Sequence, residues 1–76
     1  MIYKYTNKGG NSNVAFYSIK KDSITVEFNG GSMYLYNYTS TSISEIEYMK
    51  ELAQKGIGLN SYIGRVVKKR FAQKLR

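Results

Sequence analysis

The first half of the chain alternates apolar and polar residues with the two-residue period of β-strands. Residues 13–19 (NVAFYSI) and 23–29 (SITVEFN) are rich in β-branched and aromatic side chains, which favour strands. A third such segment, residues 33–38 (MYLYNY), follows a turn that contains two glycines. Short turns between strands are typical of antiparallel neighbours. The pattern therefore predicts a three-stranded antiparallel meander.

The apolar spacing changes to three and four residues after the third strand, as in an amphipathic helix. Serine and threonine fill residues 39–42 (TSTS), and their hydroxyls cap helix N-termini by accepting hydrogen bonds from unpaired amides. Lys55 and Gly56 close the segment. A helix is therefore predicted over residues 42–55. Its apolar positions are Ile43, Ile46, Met49, Leu52 and Ala53.

A second amphipathic helix is predicted after the glycines at 56 and 58. One side of it carries Leu59, Ile63, Val66, Val67, Phe71 and Leu75. Three strands followed by two helices predict a small α+β domain over residues 1–76. Residues 1–12 are expected to be a flexible or edge segment, and residues 65–76 a basic C-terminal helix.

The order of these features resembles the KTSC domain, which is named for the C-terminus of some lysyl-tRNA synthetases. The resemblance covers about residues 12–65 and rests on SNVAFYSI, SITVEF, a Gly-Gly turn, YLY, a helix that ends in Lys-Gly, and LNSYI. The Tyr-x-Tyr motif of the family is matched by Tyr34 and Tyr36. The chain departs from the family at residues 38–41, where a Val-Pro commonly opens the helix, and in its longer basic tail. The resemblance implies RNA binding, which was suggested for the family because the domain is attached to a synthetase.

Charge is distributed unevenly along the chain. The net charge is +7, and six of the twelve basic residues lie in residues 65–76, which contain no acid. They are Arg65, Lys68, Lys69, Arg70, Lys74 and Arg76. Such a segment predicts a polyanion or an anionic membrane surface as partner. We favour the polyanion, because the apolar side of the predicted helix is needed for the core. A solvated helix face without a partner is the alternative.

Several classes of chemistry are excluded by residue types that the chain lacks. Cysteine and histidine are both absent, so the sequence offers no disulfide, no structural zinc site and no imidazole base. No stretch approaches the roughly 18–20 apolar residues that cross a bilayer. Glu27 is expected to accept hydrogen bonds from tyrosines rather than to act as a base. We therefore expect a non-enzymatic, cytoplasmic protein without cofactor, metal or membrane attachment.

The glycine turn before the third strand allows two registers for the tyrosines. A shift of one residue exchanges the two faces of a strand, so the loop length decides where Tyr34 and Tyr36 point. A two-residue Gly30-Gly31 loop places them, with Tyr38, on the second face of the sheet. A three-residue loop places them in the core beside the apolar core residues predicted for the second strand, which are Ile24, Val26 and Phe28. We favour the two-residue loop, because Gly-Gly tolerates the positive φ angles of tight hairpin turns.

An exposed tyrosine row beside a basic helix predicts a module that binds RNA or another single-stranded nucleic acid. Bases stack on aromatic rings, and basic side chains neutralise phosphates. Two alternatives stay open: a protein-interaction or homo-oligomeric module that uses the tyrosine face, and an inter-subunit pocket for a small phosphorylated nucleotide. The candidate nucleic-acid-binding residues are Tyr34, Tyr36, Tyr38, Arg65, Lys68, Lys69, Arg70, Lys74 and Arg76.

Overall fold

The part of the chain that the structure describes, residues 2–10 and 12–76, has an α+β fold with a five-stranded antiparallel sheet. This structure is a computed structural model. The strands are β1 Tyr3–Lys4, β2 Val14–Lys20, β3 Ser23–Phe28, β4 Met33–Asn37 and β5 Gln73–Lys74. They lie in the sheet in chain order. The α+β class and the meander β2-β3-β4 are confirmed, and the structure adds a short strand at each edge.

The helices pack on one face of this sheet. They are α1 Ile43–Lys55 and the short α2 Leu59–Tyr62, which continues into a π-helical turn, Ile63–Val67. One buried cluster joins the inner side chains of the strands to those of the helices. It consists of Tyr5, Val14, Ile24, Val26, Tyr36, Ile46, Met49, Leu52, Ala53, Leu59, Ile63 and Val67.

Both ends of α1 are determined by local chemistry, as predicted. The Ser42 hydroxyl accepts a hydrogen bond from the Glu45 amide at 3.2 Å and donates one to the Glu45 carboxylate at 2.8 Å. This reciprocal pair satisfies an amide at the open end of the helix. At the other end, Gly56 takes a left-handed conformation with a φ of 77°, and its amide donates to carbonyls of the last turn.

The register favoured for the β3–β4 hairpin is wrong, and the three-residue alternative is correct. Glu27 lies opposite Met33 and Val26 opposite Tyr34. The Phe28 amide donates to the Ser32 carbonyl at 2.8 Å, so the loop consists of residues 29–31. Both glycines of this loop have positive φ angles, 95° and 97°. Gly-Gly is therefore compatible with a three-residue loop as well as with a two-residue loop. The packing of Tyr36 against the helices selects the register with the three-residue loop.

The C-terminal segment is an edge strand, and the predicted basic helix over residues 65–76 is wrong. Helical backbone ends at Val67, because Lys68 has a φ of 54°, which a right-handed helix cannot continue. The chain then turns back along β4, and the Ala72 amide donates to the Leu35 carbonyl at 2.7 Å. This pairing satisfies backbone groups at an edge of the sheet that would otherwise be open.

The N-terminal segment contributes an edge strand and a core residue. Tyr3 and Lys4 pair with β2, which agrees with the edge-strand expectation for residues 1–12. Tyr5 is only 2% exposed, and its hydroxyl accepts a hydrogen bond from the Leu59 amide at 3.3 Å. Met1 and Asn11 lie outside the described residues.

Candidate nucleic-acid interface

A groove with a volume of about 440 Å³ opens between β4 and the chain that follows the π-helical turn. We call it the β4 groove. Aromatic and aliphatic side chains and three lysines line it, and among the described residues no carboxylate does. The lining residues are Phe28, Tyr34, Tyr36, Ile63, Lys68, Lys69, Phe71 and Lys74.

The aromatic wall of the groove is a contiguous set of rings. Tyr34 and Phe71 have centroids 4.7 Å apart with planes tilted by 48°. Phe28 meets Tyr34 edge-on at 5.8 Å, and Tyr36 meets Phe71 edge-on at 6.3 Å. Phe28, Tyr34 and Phe71 are each only partly buried. Parts of their rings therefore remain available to stack with a planar ligand.

The lysines of the groove carry charge that no carboxylate neutralises. Lys68, Lys69 and Lys74 are exposed, and none of them takes part in the ion pairs found within residues 2–10 and 12–76. The Lys74 ammonium lies 5.9 Å from the centroid of the Tyr34 ring. Positive charge is thus held beside an aromatic surface, as an anionic, planar ligand requires.

Arg70 has a structural role in the fold, and its prediction as a nucleic-acid contact stays a prediction. Its guanidinium donates to both carboxylate oxygens of Glu45, at 2.9 and 2.6 Å, and to the carbonyls of Thr41, Val66 and Val67. The Thr41 hydroxyl in turn donates to the Arg70 carbonyl at 2.7 Å. With these acceptors the guanidinium fastens the tail to the start of α1. We call this cluster the tail latch.

The tail latch holds Glu45 in its charged form. The hydrogen bond from Arg70, followed by the one from Ser42, lowers the pKa of the Glu45 carboxyl. A carboxyl with a lowered folded-state pKa contributes stability that is present above its unfolded pKa, about 4.3, and is lost as the pH falls through the folded value. The tail is therefore expected to loosen only in acid.

Glu45→Gln is expected to loosen the tail at neutral pH, because a neutral amide replaces the carboxylate that binds Arg70 at two points. We expect faster hydrogen exchange at the Ala72 amide, which pairs the tail with β4. Glu47→Gln is the matched control, since Glu47 lies on the same helix as Glu45 and binds Lys50 and Tyr38 instead of Arg70. Equal protection of Ala72 in the two variants would show that the latch does not hold the tail.

Three further predicted contacts lie away from the groove. Arg76 donates to Glu27 at 3.2 Å. The Tyr38 hydroxyl donates to Glu47 at 2.6 Å, and this hydrogen bond, with a smaller contribution from desolvation, raises the pKa of the phenol. Arg65 is exposed on the π-helical turn and does not line the groove. From the predicted set, the structure thus brings together at the groove Tyr34, Tyr36, Lys68, Lys69 and Lys74.

Tyr36 is buried, so its prediction as an exposed base-stacking residue is wrong. It is 2% exposed and lies opposite Ile24, because the three-residue loop turns it toward the helices. Sequence reasoning assigned Phe28, Ile63 and Phe71 to the core and missed them as groove residues. The run KKRF, which sets an aromatic beside basic residues, was the available signal for Phe71.

The other face of the sheet is the one on which the helices do not pack. A second groove of about 280 Å³ lies there, and its lining includes Ile2, Phe16, Met33 and Glu27. Ile2 and Phe16 are exposed. A carboxylate and fewer cations distinguish this surface from the β4 groove, which makes it the poorer match for a polyanion.

Comparisons of the chain with protein-family models, with curated proteins and with solved structures find no match. Among the described residues, no helix is both long and apolar enough to cross a lipid bilayer. The resemblance to the KTSC domain therefore stays a prediction.

Proposed function

We propose that this chain is a small binding module for single-stranded nucleic acid and that it holds the strand in the β4 groove. One observation carries the proposal: three lysines that have no carboxylate partner in the described part of the chain line a groove with partly exposed aromatic rings. The implied RNA binding of KTSC-like domains points in the same direction.

The two kinds of side chain have separate tasks in this proposal. Lys68, Lys69 and Lys74 neutralise phosphates, which supplies affinity that is independent of sequence. Tyr34 and Phe71 stack with a base, and such stacking contributes about 1–3 kcal/mol per base. No acid, base or nucleophile is needed, so the module is non-enzymatic.

A single strand fits the groove better than a duplex. In a duplex the bases are already stacked and paired, so extruding one of them costs a few kcal/mol. A single strand can turn a base into the groove at a lower cost. The aromatic contacts therefore favour unpaired RNA or DNA, whereas the lysines do not distinguish the two forms.

Fluorescence anisotropy with a labelled oligouridylate and a matched duplex tests the proposal. We expect the single strand to bind more tightly, with an affinity that falls steeply as salt is added. Each phosphate neutralised on a single strand contributes a slope of about 0.7 log units per tenfold change in salt, so three lysines give about 2. Absence of binding at low salt, with protein at about tens of micromolar, would contradict the proposed function.

A further inference from the structure

Tyr36 lines the β4 groove, although the residue is only 2% exposed. The ring is held by its place opposite Ile24 on β3 and by an edge-on contact with Phe71, with an interplanar angle of 86°. The position of the ring is therefore determined by the core.

This hydroxyl has no hydrogen-bond partner within residues 2–10 and 12–76, which is unusual for a buried tyrosine. The Tyr5 hydroxyl, on an equally buried residue, accepts from the Leu59 amide. Among the described residues, every side-chain nitrogen or oxygen that is completely enclosed has a partner. The unpartnered Tyr36 hydroxyl is therefore not completely enclosed, and the groove that Tyr36 lines gives it access to a ligand.

The hydroxyl keeps its proton and can act as a donor. Burial, with a smaller contribution from Tyr34, raises the pKa of Tyr36 to about 12. The other polar side chains that line the groove are the three lysine ammoniums, which only donate, and the Tyr34 phenol. A donor-rich groove without a carboxylate suits a ligand that presents acceptors.

We propose that the Tyr36 hydroxyl donates a hydrogen bond to the O4 carbonyl of uracil or thymine, or to the O6 carbonyl of guanine, when such a base lies in the β4 groove, so that the module prefers these three bases. The inference rests on the proposed function and adds base selection to it. Cytosine and adenine present an amino group where uracil and guanine present the carbonyl. If an amino group of cytosine or adenine lay at this place, its N–H donors would face the lysine ammoniums, which can only donate hydrogen bonds.

Uracil and cytosine form the sharpest comparison, because both are pyrimidines and one has O4 where the other has an amino group. Labelled oligouridylate and oligocytidylate of equal length are titrated with the parent, with Tyr36→Phe and with Tyr48→Phe. Tyr36→Phe removes only the hydroxyl and keeps the buried ring. Tyr48→Phe is the matched control, since Tyr48 is exposed on α1 and its ring packs on Tyr62.

The parent and Tyr48→Phe are expected to prefer uridylate by about three- to tenfold, the range that one net hydrogen bond supplies. Tyr36→Phe should lose that preference, keep the salt slope of the parent and keep its thermal stability. Equal binding of the two oligonucleotides by the parent, a preference for cytidylate, or a preference that survives in Tyr36→Phe would overturn the inference and leave the proposed function standing. Absence of binding by the parent to either oligonucleotide would overturn both.

Discussion

Changing Lys68, Lys69 and Lys74 together to glutamate is expected to abolish binding of single-stranded oligonucleotides. Each change replaces an attraction to a phosphate by a repulsion, and charges about 4 Å apart interact by about 1 kcal/mol or more near a surface. Three such sites correspond to a loss of at least about a hundredfold in affinity. Fluorescence anisotropy at low salt measures this loss of affinity. The three side chains are exposed and unpaired in the described structure, so the fold should be unaffected.

The matched control changes Lys4, Lys8 and Lys20 to glutamate. These lysines are also exposed, the alteration of net charge is identical, and none of them lines the β4 groove. This variant should keep most of the affinity of the parent. If both triple variants lose binding equally, the net charge of the protein and not the groove is responsible. Arg70 is left unchanged because its replacement would release the tail latch.

Ile46→Ala is expected to lower the free energy of unfolding by about 2–5 kcal/mol, because it leaves a cavity between α1 and the sheet. Ile46 is 0% exposed and belongs to the same buried cluster as Ile24 and Val26. A loss of this size is a large share of the roughly 5–15 kcal/mol that stabilises a typical domain. Urea unfolding, followed by the helix signal, measures the change.

Ile43→Ala provides the control on the same helix. Ile43 is 62% exposed, so its truncation should change stability by less than about 0.5 kcal/mol. Both variants replace isoleucine by alanine in α1, and only burial differs between them. A loss below about 1 kcal/mol for Ile46→Ala would mean that α1 does not pack on the sheet as described.

Segments with strong local patterns were predicted correctly from the sequence. Ser42 and Gly56 bound α1 because a capping hydroxyl and a residue that tolerates positive φ act on their immediate neighbours. The alternation in 23–29 likewise places Ile24 and Val26 in the core. The same reasoning placed Phe28 there, whereas it is only partly buried, at the edge of the groove.

The candidate site was predicted only in part, because its assembly depends on contacts that are distant in sequence. The basic residues and Tyr34 were predicted as ligand contacts from their residue types alone, because basic side chains bind phosphates and aromatic rings stack on bases. The roles of Arg70 and Arg76 were not, since their carboxylate partners Glu45 and Glu27 lie 25 and 49 residues away. A basic residue that is paired in the fold looks the same in a sequence as one that is free.

The sequence by itself determined the elements whose signals are local: the strands β2 to β4, the helix α1, and the concentration of positive charge in residues 65–76. Tertiary structure decided the register of the β3–β4 hairpin and the path of the tail. Gly-Gly permits both loop lengths, and only packing of Tyr36 against the helices selects one. The apolar residues of the tail have the spacing of a helix, yet two contacts favour a strand. These are the pairing of the tail with β4 and the salt bridge between Arg70 and Glu45, neither of which a helix formed by the tail alone would make.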